Sequence, residues 1–198
     1  MGILIDTDDF QNEELYAKYY IPFNSNLCGS EEQLEGYISR YEKRYINELL
    51  GVELAKLFIA DLEPNSKEPQ SPIYQAIYYP IEEDLPKGTI QYYGYYAERC
   101  GCQNHMILTN GMKSMLMGFI FFEYMRDQPY FKDLTGVNTK KSENSNRAKF
   151  SEWGIDQYYN ESIEDYQQIQ YYILIEKSKN GTYQDFNGKH KEIATTLF

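Results

Sequence analysis

Between Thr109 and Gln128 the chain reads TNGMKSMLMGFIFFEYMRDQ, and this stretch limits what the rest can fold into. Met112, Met115, Leu116, Phe119, Phe122 and Met125 recur at three- and four-residue steps, the spacing of one helix face. Met117, Ile120, Phe121 and Tyr124 occupy most of the other side. A helix that is apolar nearly all round has to be buried. A membrane span needs about 20 apolar residues. Here only Met115–Phe122 passes without a charge before Glu123, Arg126 and Asp127 intervene. The segment therefore predicts a central core helix, capped at its start by the Asn110 side chain and stopped by Pro129.

Helices are predicted on both sides of it. Ser30-Glu31-Glu32-Gln33 matches a capping box. Leu34, Tyr37, Ile38, Tyr41, Tyr45 and Leu49 then share a face, while Arg40, Glu42, Lys43 and Arg44 cluster on the other. Gly51 suits the left-handed position that closes a helix. Val52–Leu62 follows, with Leu54, Leu57, Phe58 and Leu62 expected inward. Pro72 starts a further short helix, because its fixed φ suits the first helical position. Ile73, Tyr74 and Ile77 give that helix its apolar character, and Pro80 ends it. A last long helix is expected over Glu152–Lys177, on the order of 40 Å in length. Trp153, Ile155, Tyr159, Ile163, Tyr166, Ile169 and Ile173 mark its inner face.

The remaining stretches are less regular. Ile3–Ile5 reads as a short strand and Thr7-Asp8-Asp9 as a helical turn. Tyr19–Phe23 reads as extended, since a residue before Pro avoids the helical region. Thr89–Tyr96 carries strand-forming residues interrupted by Gly94, so a short strand or hairpin is expected, with Met106-Ile107-Leu108 as its partner. Tyr130–Phe150 reads as a long polar arm, and Thr182–Phe198 as an extended C-terminal tail. Such segments either stay loose or order against a neighbour. The expected fold is mainly α: a bundle of four or five helices in one domain over residues 1–181, with the arm at 130–150 and the tail at 182–198.

The chain has 198 residues and a formal net charge of -11, which argues against tight binding to a phosphate backbone. It does not exclude a protein past which DNA slides. Twenty-one tyrosines against one tryptophan suit half-buried surfaces and subunit contacts. The N-terminal MGILIDTDDF has neither the basic region nor the apolar run of a secretion signal. Cys28, Cys100 and Cys102 are an odd set that fits free thiols in a reducing compartment.

Candidate chemistry is sparse. Cys100, Cys102 and His105 form the one metal-like group, with Cys28 as a distant fourth ligand. Thiolates and imidazole suit zinc, but the Cys-Gly-Cys spacing is not that of a zinc knuckle, and free buried thiols are the preferred reading. His105 and His190 are the only histidines, and no nucleophile elbow, phosphate loop or zinc-protease motif is present. Asp6, Asp8 and Asp9 lack the glycine and distal glutamate of a calcium loop, so they read as a solvated acidic patch. Glu13-Glu14 and Glu82-Glu83 are adjacent in sequence and face different ways. The residues imply no catalytic role and no cofactor.

Several blocks taken together resemble a known family. They are Ile5–Phe10, Tyr37–Gly51 running into Leu54–Phe58, Gly111–Gln128, Lys141–Ser145, Tyr158–Ile173 and Phe186-Asn187-Gly188. The pattern resembles the small helical head–tail connector proteins of tailed bacteriophages, of the adaptor or neck-ring type. It is closest to versions in crAss-like phages and related prophages of gut bacteria. It covers most of the chain except residues 65–104.

The resemblance implies a non-enzymatic virion protein assembled in the host cytoplasm. It would form a ring, commonly dodecameric, below the portal protein. DNA would pass through without sequence-specific binding, and a downstream neck or tail protein would dock beneath. No membrane is involved. The few apolar residues of the arm and tail, Phe131, Leu134, Phe150, Phe186, Leu197 and Phe198, are the expected interface candidates. The alternative is a monomeric helical adaptor that recruits a phage or host protein.

Overall fold

The computed structural model describes residues 2–12, 17–21, 31–84, 106–127, 130–133, 136–139 and 152–191; for residues 17, 130–133, 136–139 and 152–155 it describes the backbone only. The fold is mainly α. Helix α1 spans Glu31–Leu50, α2 Val52–Ala60, α3 Pro72–Tyr78, α4 Gly111–Asp127 and α5 Glu152–Asn180. Two short antiparallel ribbons accompany them: β1 (Glu82–Asp84) with β2 (Met106–Leu108), and β3 (Tyr130–Asp133) with β4 (Gly136–Thr139).

Helix α4 is the centre of the bundle, as its all-round apolar sequence requires. It packs along α5 on one side and α1 on another. Met112, Met115, Leu116, Met117, Phe119, Ile120 and Tyr124 are fully buried. From α5, Ile163, Tyr166, Ile169 and Ile173 meet them; from α1, Leu34, Ile38, Tyr45, Ile46 and Leu49 do so. Among the described residues no helix is long and apolar enough to cross a membrane.

The ends of the helices follow local chemistry. Gly51 sits at φ 83°, in the left-handed region that favours glycine, and turns α1 directly into α2. Pro72 opens α3 as expected. Ser30, the expected cap of α1, lies outside the described residues. The start of α4 differs from expectation. The Asn110 backbone N–H and side-chain amide both donate to Asp165 on α5, at 2.9 and 3.2 Å. The Gly111 N–H goes instead to the Thr109 hydroxyl, at 3.1 Å.

On α2 the inward set is Leu54, Ala55 and Phe58, and Leu57 stands 48% exposed. So short a helix has one narrow buried stripe, and Phe58 sets it through an edge-on contact with Tyr74 of α3 at 5.7 Å. The N-terminal stretch makes the expected helical turn over Thr7–Gln11, here a 3-10 turn. Ile3–Ile5 is not a strand: its amides find a side chain instead of a ladder, as described below.

Met106–Leu108 is a strand, but its partner is the acidic Glu82–Asp84, with Glu83 opposite Ile107. The expected partner, Thr89–Tyr96, lies outside the described residues. The pairing is extended by Thr109, whose N–H donates to the Ile81 carbonyl at 2.9 Å, and it is anchored by buried Ile107.

The other two departures concern the arm and the tail. The first ten positions of the expected arm hold a hairpin, with Tyr130 opposite Thr139 and Asp133 opposite Gly136. Tyr, Phe, Val and Thr in these positions favour extended backbone, and a ladder that closes on itself needs no neighbour. The expected tail begins inside the domain. Tyr183 is buried and its hydroxyl donates to the Ile73 carbonyl at 2.5 Å. Asn187 and Lys189 donate their N–H groups to the carbonyls of Leu50 and Glu48, at 3.2 and 2.6 Å. These are among the last carbonyls of α1, which a helix leaves without internal partners. Gly188 between them passes so close to the Leu49 carbonyl that a Cβ would overlap it. Counting apolar residues misses such a segment, because main-chain groups hold most of it.

Candidate functional site

The expected site residues are not gathered by the fold. Cys28, Cys100, Cys102, His105, Leu134, Phe150, Leu197 and Phe198 lie outside the described residues. Phe131 pairs with Asn138 in the β3–β4 ribbon. Phe186 is half-buried against the core beside the end of α5 and is not a free anchor. Among the described residues no group of three or more His, Cys, Asp or Glu is placed to hold a metal ion.

The polar chemistry that the fold does concentrate is a set of buried carboxylates facing phenols and amides. Sequence reading placed Glu42 on the solvated face of α1. It is instead 2% exposed. One oxygen accepts from the N–H of Ile3 at 2.5 Å, and the other from Leu4 and Ile5 at 2.5 and 2.9 Å. Burial pushes its pKa up, and the three amides and Lys67 pull against that shift. A signal was present in the sequence: position 42 lies four residues from both Ile38 and Ile46, on the buried face.

Nearby, the acidic Asp6–Asp9 turn is tied down, not merely solvated. Asp6 pairs with Lys67 at 2.5 Å and Asp9 with Lys113 of α4 at 2.7 Å. The Asp9 carboxylate also accepts from the Asp6 N–H at 2.9 Å.

A second group lies between α1, α4 and α5. Tyr45 donates to Glu123 at 2.8 Å, and Glu123 pairs with Arg126 at 2.6 Å. Arg126 reaches Asp127 at 3.0 Å, which accepts from Tyr37 at 2.8 Å. Phe119 lies against the Tyr45 ring and meets Tyr159 and Tyr166 edge-on. Burial, reinforced by Glu123, drives the Tyr45 hydroxyl far above its ordinary value, and burial does the same to Tyr166 and Tyr183. Such phenols are hydrogen-bond donors across the pH range of cells, not acids.

At the end of α1, Glu48 receives Arg44 at 3.0 Å and Lys191 at 2.6 Å. Burial opposes its charge, but those two cations outweigh it and hold the carboxyl below its ordinary value. Gln170 donates to the carbonyls of Leu49 and Lys189, at 2.9 and 3.0 Å, and Gln167 to that of Lys191 at 2.5 Å. Asp165, buried beneath the start of α4, is raised by burial and steadied by Asn110.

Chemically, these groups hold the chain to itself. Glu42 binds a backbone, Asp165 binds a helix start, and Glu48 binds a segment distant in sequence. No family model, curated protein or solved structure matches the chain.

Proposed function

We propose that the chain is a structural subunit that assembles through its own surface: a ring subunit of a phage head–tail connector, joining the portal to tail components around a channel for DNA. One observation carries the reading. Large apolar side chains stay exposed on neighbouring elements: Val52 and Leu57 on α2, Ile73 on α3, Tyr79 just after it, and Met106 and Leu108 on β2. Tyr183 ties α3 to the segment after α5, and Lys179 of α5 faces Glu83 of β1 at 4.0 Å. Of the elements that carry these apolar side chains, α3 and β2 pack against α5. Large exposed apolar side chains gathered on neighbouring elements suit an interaction surface. The mainly helical fold agrees with the family the sequence resembles, and the net charge of -11 suits a channel that repels DNA instead of gripping it.

Mass photometry of the purified protein, alone and with its portal protein, tests this. A species of ring mass on the portal is expected, and Leu57→Glu or Leu108→Glu should reduce it while leaving the circular dichroism spectrum intact. A protein that stays monomeric with the portal would point to a monomeric adaptor instead, and variants that assemble as well as wild type would show that these side chains are not the assembly surface.

A further inference from the structure

Lys191 places its ammonium among three aromatic rings. Its Nζ lies 5.0 Å from the ring centre of Tyr45, 5.7 Å from that of Tyr166 and 5.9 Å from that of Phe119. The Glu48 carboxylate closes the remaining side at 2.6 Å. Aromatic faces attract a cation within about 6 Å, and a carboxylate beside them adds a charge partner.

Three of the four walls are held without the Lys191 side chain, and the fourth, Glu48, has Arg44 as a second partner. Tyr45 is held by Glu123 at 2.8 Å. Phe119 is held against Tyr45 and Tyr159. Tyr166 donates to the Glu48 carbonyl at 2.6 Å, and Arg44 fixes the Glu48 carboxylate at 3.0 Å. The Lys191 backbone is held separately, by Gln167 on its carbonyl. Most of the box is thus held by contacts other than the lysine, whose side chain is 16% exposed.

We propose that this box is a binding site for a primary alkylammonium group, which the chain fills in cis with Lys191. A lysine side chain presented by another protein has the same chemistry. It would take the site only when Lys191 leaves it.

The test is chemical rescue. Lys191→Ala empties the box and leaves the contacts of Tyr45, Phe119 and Tyr166 and the Arg44 partner of Glu48 in place. The variant is melted in rising concentrations of n-butylammonium chloride and, in parallel, of sodium chloride. Its melting temperature should lie several degrees below wild type, and the amine should recover it saturably, beyond any effect of the salt. Wild type, with its box filled, should show no such gain. A Glu48→Gln/Lys191→Ala variant should lose the saturable response. The proposal fails if the amine does no more than sodium chloride for Lys191→Ala, if it raises wild type equally, or if the double variant responds as the single one does. Should Lys191→Ala not fold in buffer, refolding is followed by far-ultraviolet circular dichroism instead. Recovery with the amine and not with sodium chloride supports the site; no recovery with either overturns it.

Discussion

The Phe119 ring lies flat on that of Tyr45, with centres 4.4 Å apart and planes 10° from parallel. Helices α4 and α1 meet through this pair, and Tyr159 and Tyr166 of α5 close on Phe119 at 5.3 and 6.2 Å. Phe119→Ala should therefore loosen three helices at once. Emptying a buried aromatic site costs about 3–5 kcal/mol. In a chain of this length that lowers the melting temperature by on the order of 10 °C. Calorimetry decides it: a variant that melts with wild type would mean this contact is not part of the core.

The Glu42 clamp gives a more local expectation. Glu42→Gln keeps the shape but turns one of the two acceptors into a donor that faces N–H groups. Leaving buried amides without a partner costs about 1–3 kcal/mol. Amide hydrogen exchange at Ile3, Leu4 and Ile5 should speed up markedly, with little change at Ile163–Ile173 of α5. Uniform acceleration across both regions, or none, would show that the carboxylate does not hold this segment.

The buried phenols set an alkaline limit. Tyr45, Tyr166 and Tyr183 have folded-state pKa values raised above the ordinary 10.0, with burial the main cause, and Tyr19 is raised to about 12. The folded state thus binds these protons more tightly than the unfolded chain does. Their contribution to stability is complete below pH 10 and is lost as pH rises through the folded values. Phenolate absorbance should show an early group of exposed tyrosines, then a late group that appears together with loss of near-ultraviolet circular dichroism. If all tyrosines titrate before the dichroism changes, these hydroxyls are not buried as described.

The sequence speaks most clearly where periodicity is strong. The apolar stretch around Phe119 marked the central helix, and Ile163, Tyr166, Ile169 and Ile173 marked the inner face of α5. It speaks least where one backbone is held by another. Asn187 and Lys189 have no apolar signature, because what fixes them is the set of open carbonyls at Glu48 and Leu50. Leu57 carried a core-like signal yet faces outward, since nine residues of α2 leave room for only one stripe. Glu42 reads as surface charge, and nothing local sets Glu123 or Asp165 apart as buried. A carboxylate in the buried register of a helix reads the same as a solvated one until its partners, here Ile3–Ile5, Tyr45 and Asn110, come from elsewhere in the chain. The expected thiol and histidine group lies outside the described residues, so the chemistry that stands out is that of Glu48 and Lys191, which no local motif announces.

The joint between the end of α1 and Asn187–Lys191 has a consequence for synthesis. The carbonyls of Glu48 and Leu50 leave the ribosome early, and the N–H groups of Lys189 and Asn187 that reach them are made after α5. A nascent chain can form α1, pack α4 and α5 on it and bring Tyr166 and Gln170 to the carbonyls of Glu48 and Leu49. Yet the main-chain partners of this end are missing until Lys189 has emerged. Among the described residues these main-chain partners are thus added after the bundle that receives them, and a chain halted just before Asn187 should be a bundle with a half-sealed seam.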